Sequence, residues 1–163
     1  MSLHYEWTLS LRLRPDTPVA FLDEVRYHVG LSDQPPANPS LDADWPCLAV
    51  DPGDDRMPGG GAASLIEQRP YLNRPACFGL YVRLYMLDDG MYDLVQIVPR
   101  WLARWSLTQG WIGVAREELA LHPWLHFYVQ DGHAYAAEPG GTPKPFDDTA
   151  PPFTLLQTTD SPV

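Results

Sequence analysis

The sequence predicts an α+β protein in which a largely antiparallel sheet carries two helices on one face. Two long segments alternate between apolar and polar residues, which is typical of strands that bury one side. Two other segments repeat apolar residues at intervals of three and four, the spacing of a helix with one buried stripe. Because both kinds of element must cover their apolar sides, we expect the helices to pack on the sheet as a second layer.

The chain opens with a predicted strand and a predicted helix. Residues 4–14 alternate throughout, and the apolar positions are Tyr5, Trp7, Leu9, Leu11 and Leu13. Asp16-Thr17-Pro18 then supplies an N-cap and an early-turn proline, and Gly30 is placed to end a helix. The helical spacing between them is carried by Leu22, Val25 and Val29. We therefore predict a helix over residues 18–29.

A long loop and further strands follow. Residues 32–61 are dense in Pro, Asp and Gly, which favours turns, and only Trp45–Val50 resembles a short strand. Ala62–Arg69 is compatible with another strand. Ala76–Leu87 predicts a longer one, because its residues alternate between two sides. One side carries Phe78, Leu80, Val82, Leu84 and Met86, and the other carries Tyr81, Arg83 and Tyr85.

Residues 88–105 allow two interpretations. An apolar stripe at helical spacing runs through Met91, Leu94, Val95, Val98, Leu102 and Trp105. Pro99 interrupts this stripe and would kink a helix. The alternative makes Asp88-Asp89-Gly90 a hairpin turn, followed by a strand over 92–98 and a short helix from Pro99. We prefer the kinked helix, because the stripe continues in phase across the proline.

Three more strands complete the predicted domain of residues 1–137. They are Gly110–Glu117, Trp124–Gln130 and His133–Ala137, and Asp131-Gly132 joins the last two by a tight turn. Residues 138–163 form a proline-rich tail that we expect to dock on the domain. The strand, acidic turn and helix of Leu9–Val29 recur in Leu80–Leu102. This recurrence fits a duplicated β-α-β-β unit or a chance repetition.

Composition and charge narrow the class of partner. The net charge of −10 repels phosphate backbones and anionic membrane surfaces, so neither nucleic acid nor a membrane is expected. A basic protein surface fits this charge better. Residues 1–10 lack the features of a signal peptide, and no apolar run is long enough to span a membrane. We therefore expect a cytoplasmic protein in which Cys47 and Cys77 are buried thiols.

Known catalytic and cofactor-binding patterns are missing from the sequence. The glycines of the loop 51–64 lack the Lys and the Ser or Thr of a phosphate-binding loop, so we interpret this segment as a connector. Its acidic residues do not have the spacing of a calcium loop. His122 and His126 are four residues apart, but Pro123 and the following apolar run favour a strand rather than a zinc-binding helix. The sequence predicts no metal and no cofactor, and it leaves the catalytic residues, if the protein is an enzyme, unknown.

The polar side of the sheet is the candidate binding surface. We predict that it presents Arg12, Tyr81, Arg83, Tyr85, His126 and Tyr128. Tyrosine and arginine are enriched where proteins bind one another. The favoured hypothesis is a non-catalytic interaction protein whose partner is a second copy or a basic protein. The alternative is a small-molecule-binding protein or enzyme with a pocket between the sheet and the loop 51–64, where Glu117, Glu118, His122 or His126 supplies acid-base chemistry.

Part of the chain resembles a family of small bacterial proteins with no assigned function. The resemblance covers residues 80–128, less than a third of the chain. It consists of a strand, Asp88-Asp89, a helix ending in Trp101-Leu102-Ala103, and then Gly110-Trp111-Ile112-Gly113, Arg116-Glu117 and the strand Leu125–Tyr128. The resemblance implies a single α+β domain and transfers no catalytic residue.

Overall fold

The fold is a seven-stranded sheet with two helices. The computed structural model describes residues 3–154. The elements are β1 (His4–Leu13), α1 (Val19–His28), β2 (Ala62–Gln68), β3 (Cys77–Leu87), α2 (Asp88–Ala103), β4 (Gly110–Glu117), β5 (Leu125–Gln130), β6 (His133–Ala137) and β7 (Lys144–Pro145). Neighbouring strands pair antiparallel in the order β2-β3-β1-β4-β5-β6-β7. The predicted α+β class is therefore confirmed.

One face of the sheet forms the core with both helices. In β1, which lies between β3 and β4, every residue at an odd position is buried, and Leu80, Val82 and Leu84 of β3 are buried on the same side. They belong to one apolar cluster with the stripes of α1 and α2. Because side chains alternate between faces, a slip of one residue would turn these side chains to the opposite side, so burial of one face fixes the register.

The second helix settles the two interpretations of residues 88–105. α2 runs as one helix from Asp88 to Ala103 with Pro99 inside it, so the hairpin alternative is wrong. Asp88 and Asp89 lie in its first turn, where their negative charge interacts favourably with the helix dipole. Neither helix in residues 3–154 is long and apolar enough to cross a membrane.

One predicted strand is absent, and the predicted duplication is not shown. Trp45–Val50 is not a strand; its Leu48 instead donates one backbone hydrogen bond to the carbonyl of His28 at the end of α1 (2.9 Å). Pro46 interrupts any ladder here, because it has no N–H. A duplicated β-α-β-β unit is not shown, because β3 would have to close the first unit and also open the second.

The start of the long loop is held by a buried carboxylate. Glu24 of α1 is 2% exposed. It accepts hydrogen bonds from the amide and hydroxyl of Ser40, both at 2.6 Å, and from the amide of Leu41 at 2.8 Å. The indole of Trp101 in α2 donates to the same Ser40 hydroxyl at 2.9 Å. This network joins α1, α2 and the loop.

The chain after β6 folds back over the sheet. β7 pairs with β6, and the Tyr135 hydroxyl donates to the carbonyl of Pro151 at 2.9 Å. The predicted tail, residues 138–163, extends past the part of the chain that the structure describes, since residues 155–163 lie outside it. The division into a domain and a tail stays a prediction.

Candidate functional site

The candidate site is the sheet face opposite the helices, which we call the open face. Strand register places all six predicted residues there. Arg12 lies opposite Gly79, Tyr81 opposite Ser10, Arg83 opposite Thr8, Tyr85 opposite Glu6, His126 opposite Val114 and Tyr128 opposite Trp111. The six do not form one continuous exposed surface, because two segments of the chain cover parts of this face. Their use in binding stays a prediction.

Arg83 is held by contacts within the chain. Its Nε donates to Glu6 Oε1 at 2.6 Å, and Arg116 Nη2 donates to Glu6 Oε2 at 2.5 Å. Arg83 Nη1 also donates to the carbonyls of Pro58 and Gly60, at 2.7 and 3.3 Å. The Arg83 side chain is only 21% exposed. It therefore anchors the loop 51–61 to the sheet.

We expect Glu6 to make the free energy of unfolding depend on pH in the acid range. Burial alone would raise the pKa of Glu6, but hydrogen bonds from Arg83 and Arg116 outweigh it and hold the pKa below its ordinary 4.5. The lowered pKa means that stabilisation by Glu6 is complete above 4.5 and is lost as the pH falls through the folded-state pKa. We expect Glu6→Gln to cost about 1.5 kcal/mol at neutral pH and progressively less in acid.

Urea unfolding of the wild type and Glu6→Gln from neutral to acid pH measures the difference between their free energies of unfolding. A cost of Glu6→Gln that stays constant from neutral to acid pH would contradict the ion-pair geometry. The substitution Glu67→Gln is a suitable control, because Glu67 is exposed and forms no ion pair within residues 3–154.

Tyr85 is covered by the same loop. Its ring stacks on His4, with centroids 5.1 Å apart, and the guanidinium of Arg56 lies 4.4 Å from its centroid on the loop. Arg56 is held in turn by two hydrogen bonds to the Asp54 carboxylate, each 2.8 Å long. Burial raises the pKa of Tyr85 to about 12. Tyr85 is thus covered in part by the loop 51–61 and does not lie on an open surface.

The loop 51–61 is therefore a folded cover as well as a connector. The amide of Gly61 donates to the carbonyl of Asp51 at 2.8 Å, and the amide of Gly60 donates to the carbonyl of Met57 at 2.8 Å. These bonds fold the loop back on itself. Within residues 3–154, no group of three or more His, Cys, Asp or Glu side chains is placed to hold a metal ion.

A second cover lies over β5 and β6. Phe153 packs against Tyr128 and Tyr135, with ring centroids 5.4 and 5.2 Å apart. Gln130 exchanges two hydrogen bonds with the backbone of Thr154, at 2.8 and 3.2 Å. Residues 151–154 thus occupy the side of the open face on which Tyr128 lies.

A groove of about 430 Å³ remains open between the two covers. We call it the central groove. Of the six predicted residues, only Arg12 and Tyr81 line it, and Tyr81 is 37% exposed. The other lining residues are Ser10, Leu11, Ser64, Ile66, Gln68, Gly79, Leu80, Thr108 and Trp111.

Trp111 is the main residue that the sequence prediction missed. It is 49% exposed on the open face, and its indole N–H donates to His126 Nδ1 at 3.4 Å. A β-bulge between Trp111 and Gly113 puts Trp111 on this face, whereas strict alternation would place it with buried Ala115. Gly113 is the residue in the sequence that indicates this bulge. A glycine inside a strand often marks a bulge or a close approach of backbones, and a Cβ at Gly113 would lie 2.1 Å from the Thr8 carbonyl oxygen.

A smaller cavity of about 220 Å³ continues the central groove toward the β2–β3 connection. The two cavities share Arg12 and Gln68. The smaller one is also lined by Arg69, Tyr71, Arg74, Pro75, Cys77 and Leu107. We call this part the arginine end. No carboxylate lines either cavity, and Arg12, Arg69 and Arg74 take part in none of the ion pairs within residues 3–154.

The side chains proposed for acid-base chemistry do not meet in the groove. Glu118 lies 3.6 Å from His4 at the far end of the sheet, and neither it nor Glu117 or His122 lines the central groove. His126 does not line the central groove either, but it accepts a hydrogen bond from the indole of Trp111, which does.

A buried cysteine and histidine also lie close together, on the helix side. Cys47 Sγ is 3.5 Å from His28 Nδ1, and Glu24 Oε1 is 3.9 Å from His28 Nε2. All three side chains are almost completely buried. Burial raises the pKa of the Cys47 thiol to about 12 and lowers the pKa of His28. The cluster therefore lacks the thiolate that nucleophilic catalysis requires. The predicted buried thiols, Cys47 and Cys77, are confirmed.

No family model, curated protein or solved structure matches this chain. The resemblance of residues 80–128 therefore stays a prediction. The candidate site is defined by its own geometry: an open groove with aromatic walls, continued by a cavity lined with arginines.

Proposed function

We propose that the protein is a non-catalytic binding protein that docks a segment of a partner protein in the central groove. The single observation that carries this proposal is Gly79, which forms part of the lining of the groove on the open face. It lies in β3 between Arg12 of β1 and Ile66 of β2. A glycine inside a strand weakens the strand and often marks a place where a ligand approaches the backbone closely.

The fold itself gives no reason for a glycine at this position. The φ angle of Gly79 is not in the left-handed region, so any residue can adopt its backbone conformation. A Cβ added there would meet only the flexible side chain of Gln68, at 2.8 Å from Nε2. Gly113 differs, because its Cβ would meet backbone atoms of β1. We therefore infer that the absence of a side chain at Gly79 keeps the groove open.

Gly79 forms the floor of the groove, and aromatic side chains lie on both sides of it. Tyr81 and Trp111 line the groove and remain partly exposed, and Ile66 is 60% exposed beside them. Rigid aromatic rings bury a large contact area on binding at low cost in conformational entropy. Exposed apolar residues gathered in a groove are typical of a protein interaction site.

Random peptides displayed on phage test this proposal directly. We expect peptides selected on the wild-type protein to bind the variant Gly79→Leu at least about tenfold more weakly, because the leucine fills the floor of the groove. The matched control is Gly90→Leu on α2, where an added Cβ meets no atom within 4 Å. Equal binding to the wild type and Gly79→Leu would place the peptides elsewhere and remove the proposal.

A small-molecule ligand is the second candidate function. The volume of the central groove, about 430 Å³, lies within the range of small-molecule sites. The pocket expected between the sheet and the loop 51–64 is a less suitable place, since the carbonyls of Pro58 and Gly60 are bonded to Arg83 there. A metabolite library that raises the Tm of the wild type but not of Gly79→Leu, with no peptide selected, would favour this second function.

A further inference from the structure

We infer that the partner segment is an acidic, extended stretch of polypeptide whose carboxylates bind Arg12, Arg69 and Arg74. The inference rests on the proposed function and adds the chemistry of the partner. It also reverses the expectation from net charge alone, which favours a basic partner. The groove carries a local charge opposite to that of the whole chain.

The local charge is the first argument. The chain has 21 acidic and 11 basic residues, yet the residues that line the two joined cavities include three arginines and no acidic residue. Unpaired arginines close together repel one another, and carboxylates bound between them would remove this repulsion. The planar guanidinium also matches a carboxylate with two parallel hydrogen bonds, which lysine cannot provide.

The shape of the site is the second argument. Since the cavities of about 430 and 220 Å³ share Arg12 and Gln68, they form one trough from Trp111 to the β2–β3 connection. An elongated trough accepts an extended chain better than a compact metabolite. In an extended chain, alternate side chains point to the same side at a spacing of about 6.6 Å, so apolar and acidic residues can reach the aromatic and arginine parts in turn.

The tip of the β2–β3 connection is the third argument. Tyr71 and Arg74 exchange two backbone hydrogen bonds, of 3.0 and 3.1 Å, across a tight turn. In this turn Leu72 has a φ of 52° and is 86% exposed, beside Tyr71 at 70%. A left-handed conformation costs a residue other than glycine about 1 kcal/mol, and the core gains nothing from this leucine. The turn instead presents two apolar side chains beside the arginines.

Fluorescence anisotropy tests the inference with a defined probe. The probe is a short fluorescein-labelled peptide in which glutamate alternates with leucine, and its counterpart has lysine in place of glutamate. We expect the wild type to bind the glutamate peptide only, and added salt to weaken the binding. The double variant Arg12→Gln/Arg74→Gln should lose at least about tenfold in affinity. Arg100→Gln on the helix side is the control and should bind as the wild type does.

The possible outcomes separate the inference from the proposed function. The peptides selected by phage display could be basic or neutral and still bind Gly79→Leu more weakly than the wild type. That result would overturn the acidic partner and leave the proposed function standing. Binding of neither displayed nor synthetic peptides would overturn both. Displacement of the probe by free glutamate as effectively as by the unlabelled peptide would overturn the polypeptide ligand. A dimer in light scattering that Gly79→Leu dissociates would make a second copy the occupant and overturn the inference.

Discussion

Replacement of Trp7 by alanine should lower the free energy of unfolding by about 4 kcal/mol. Trp7 lies in β1, the strand between β3 and β4, and none of its surface is exposed. Its ring packs against Phe127 of β5 with centroids 5.6 Å apart. Removing the indole would leave a large cavity beneath the helices, which the surrounding strands cannot fill. Urea unfolding followed by circular dichroism measures the loss.

The variant Trp7→Phe is the matched control. The indole N–H of Trp7 is buried and has no hydrogen-bond partner within residues 3–154, so phenylalanine removes an unsatisfied donor while it keeps most of the packing. We expect this variant to lose about 1.5 kcal/mol or less. Equal losses for both variants would show that the ring does not fill the centre of the core.

Replacement of Glu24 by alanine should cost about 3 kcal/mol. The substitution leaves the amides of Ser40 and Leu41 without their acceptor in a buried site. It also frees the Ser40 hydroxyl that bonds the indole of Trp101. The loss should therefore loosen α1, α2 and the loop together. Chemical denaturation gives the energy, and hydrogen exchange at the amides of Ser40 and Leu41 locates the change.

The neighbouring residue Asp23 provides the control for Glu24. It lies on the exposed side of α1 and pairs with Arg26 at 2.7 Å in a surface ion pair of i and i+3 spacing. Such pairs contribute about 0.5 kcal/mol or less. Asp23→Ala should therefore have little effect. Similar costs for the two variants would contradict the buried network around Glu24.

Local patterns in the sequence predicted most of the fold because they reflect burial directly. The alternation in residues 4–14 and 76–87 follows the buried and exposed sides of β1 and β3. The turn at Asp131-Gly132 was also correctly predicted, and its φ angles of 50° and 80° explain why this dipeptide is favoured there. In the same way, the stripe across Pro99 correctly predicted a continuous α2.

The site was only partly predictable, because it depends on contacts between residues far apart in the chain. No local pattern indicates that Pro58 and Gly60 lie over Arg83, so Arg83 and Tyr85 were expected on an accessible surface. The β-bulge before Gly113 places Trp111 on the open face, whereas strict alternation predicts the opposite face. The groove itself forms where Arg12, Gly79 and Ile66 become neighbours across three strands.

An NMR titration with the glutamate–leucine peptide tests the central claim most directly, since it reports where the ligand lies. We predict shifts of the Trp111 indole N–H and of the backbone amides of Gly79, Tyr81 and Arg74, with the amides of α1 unchanged. Shifts confined to the turn between β4 and β5, or no shifts at saturating peptide, would contradict the assignment of the central groove as the binding site.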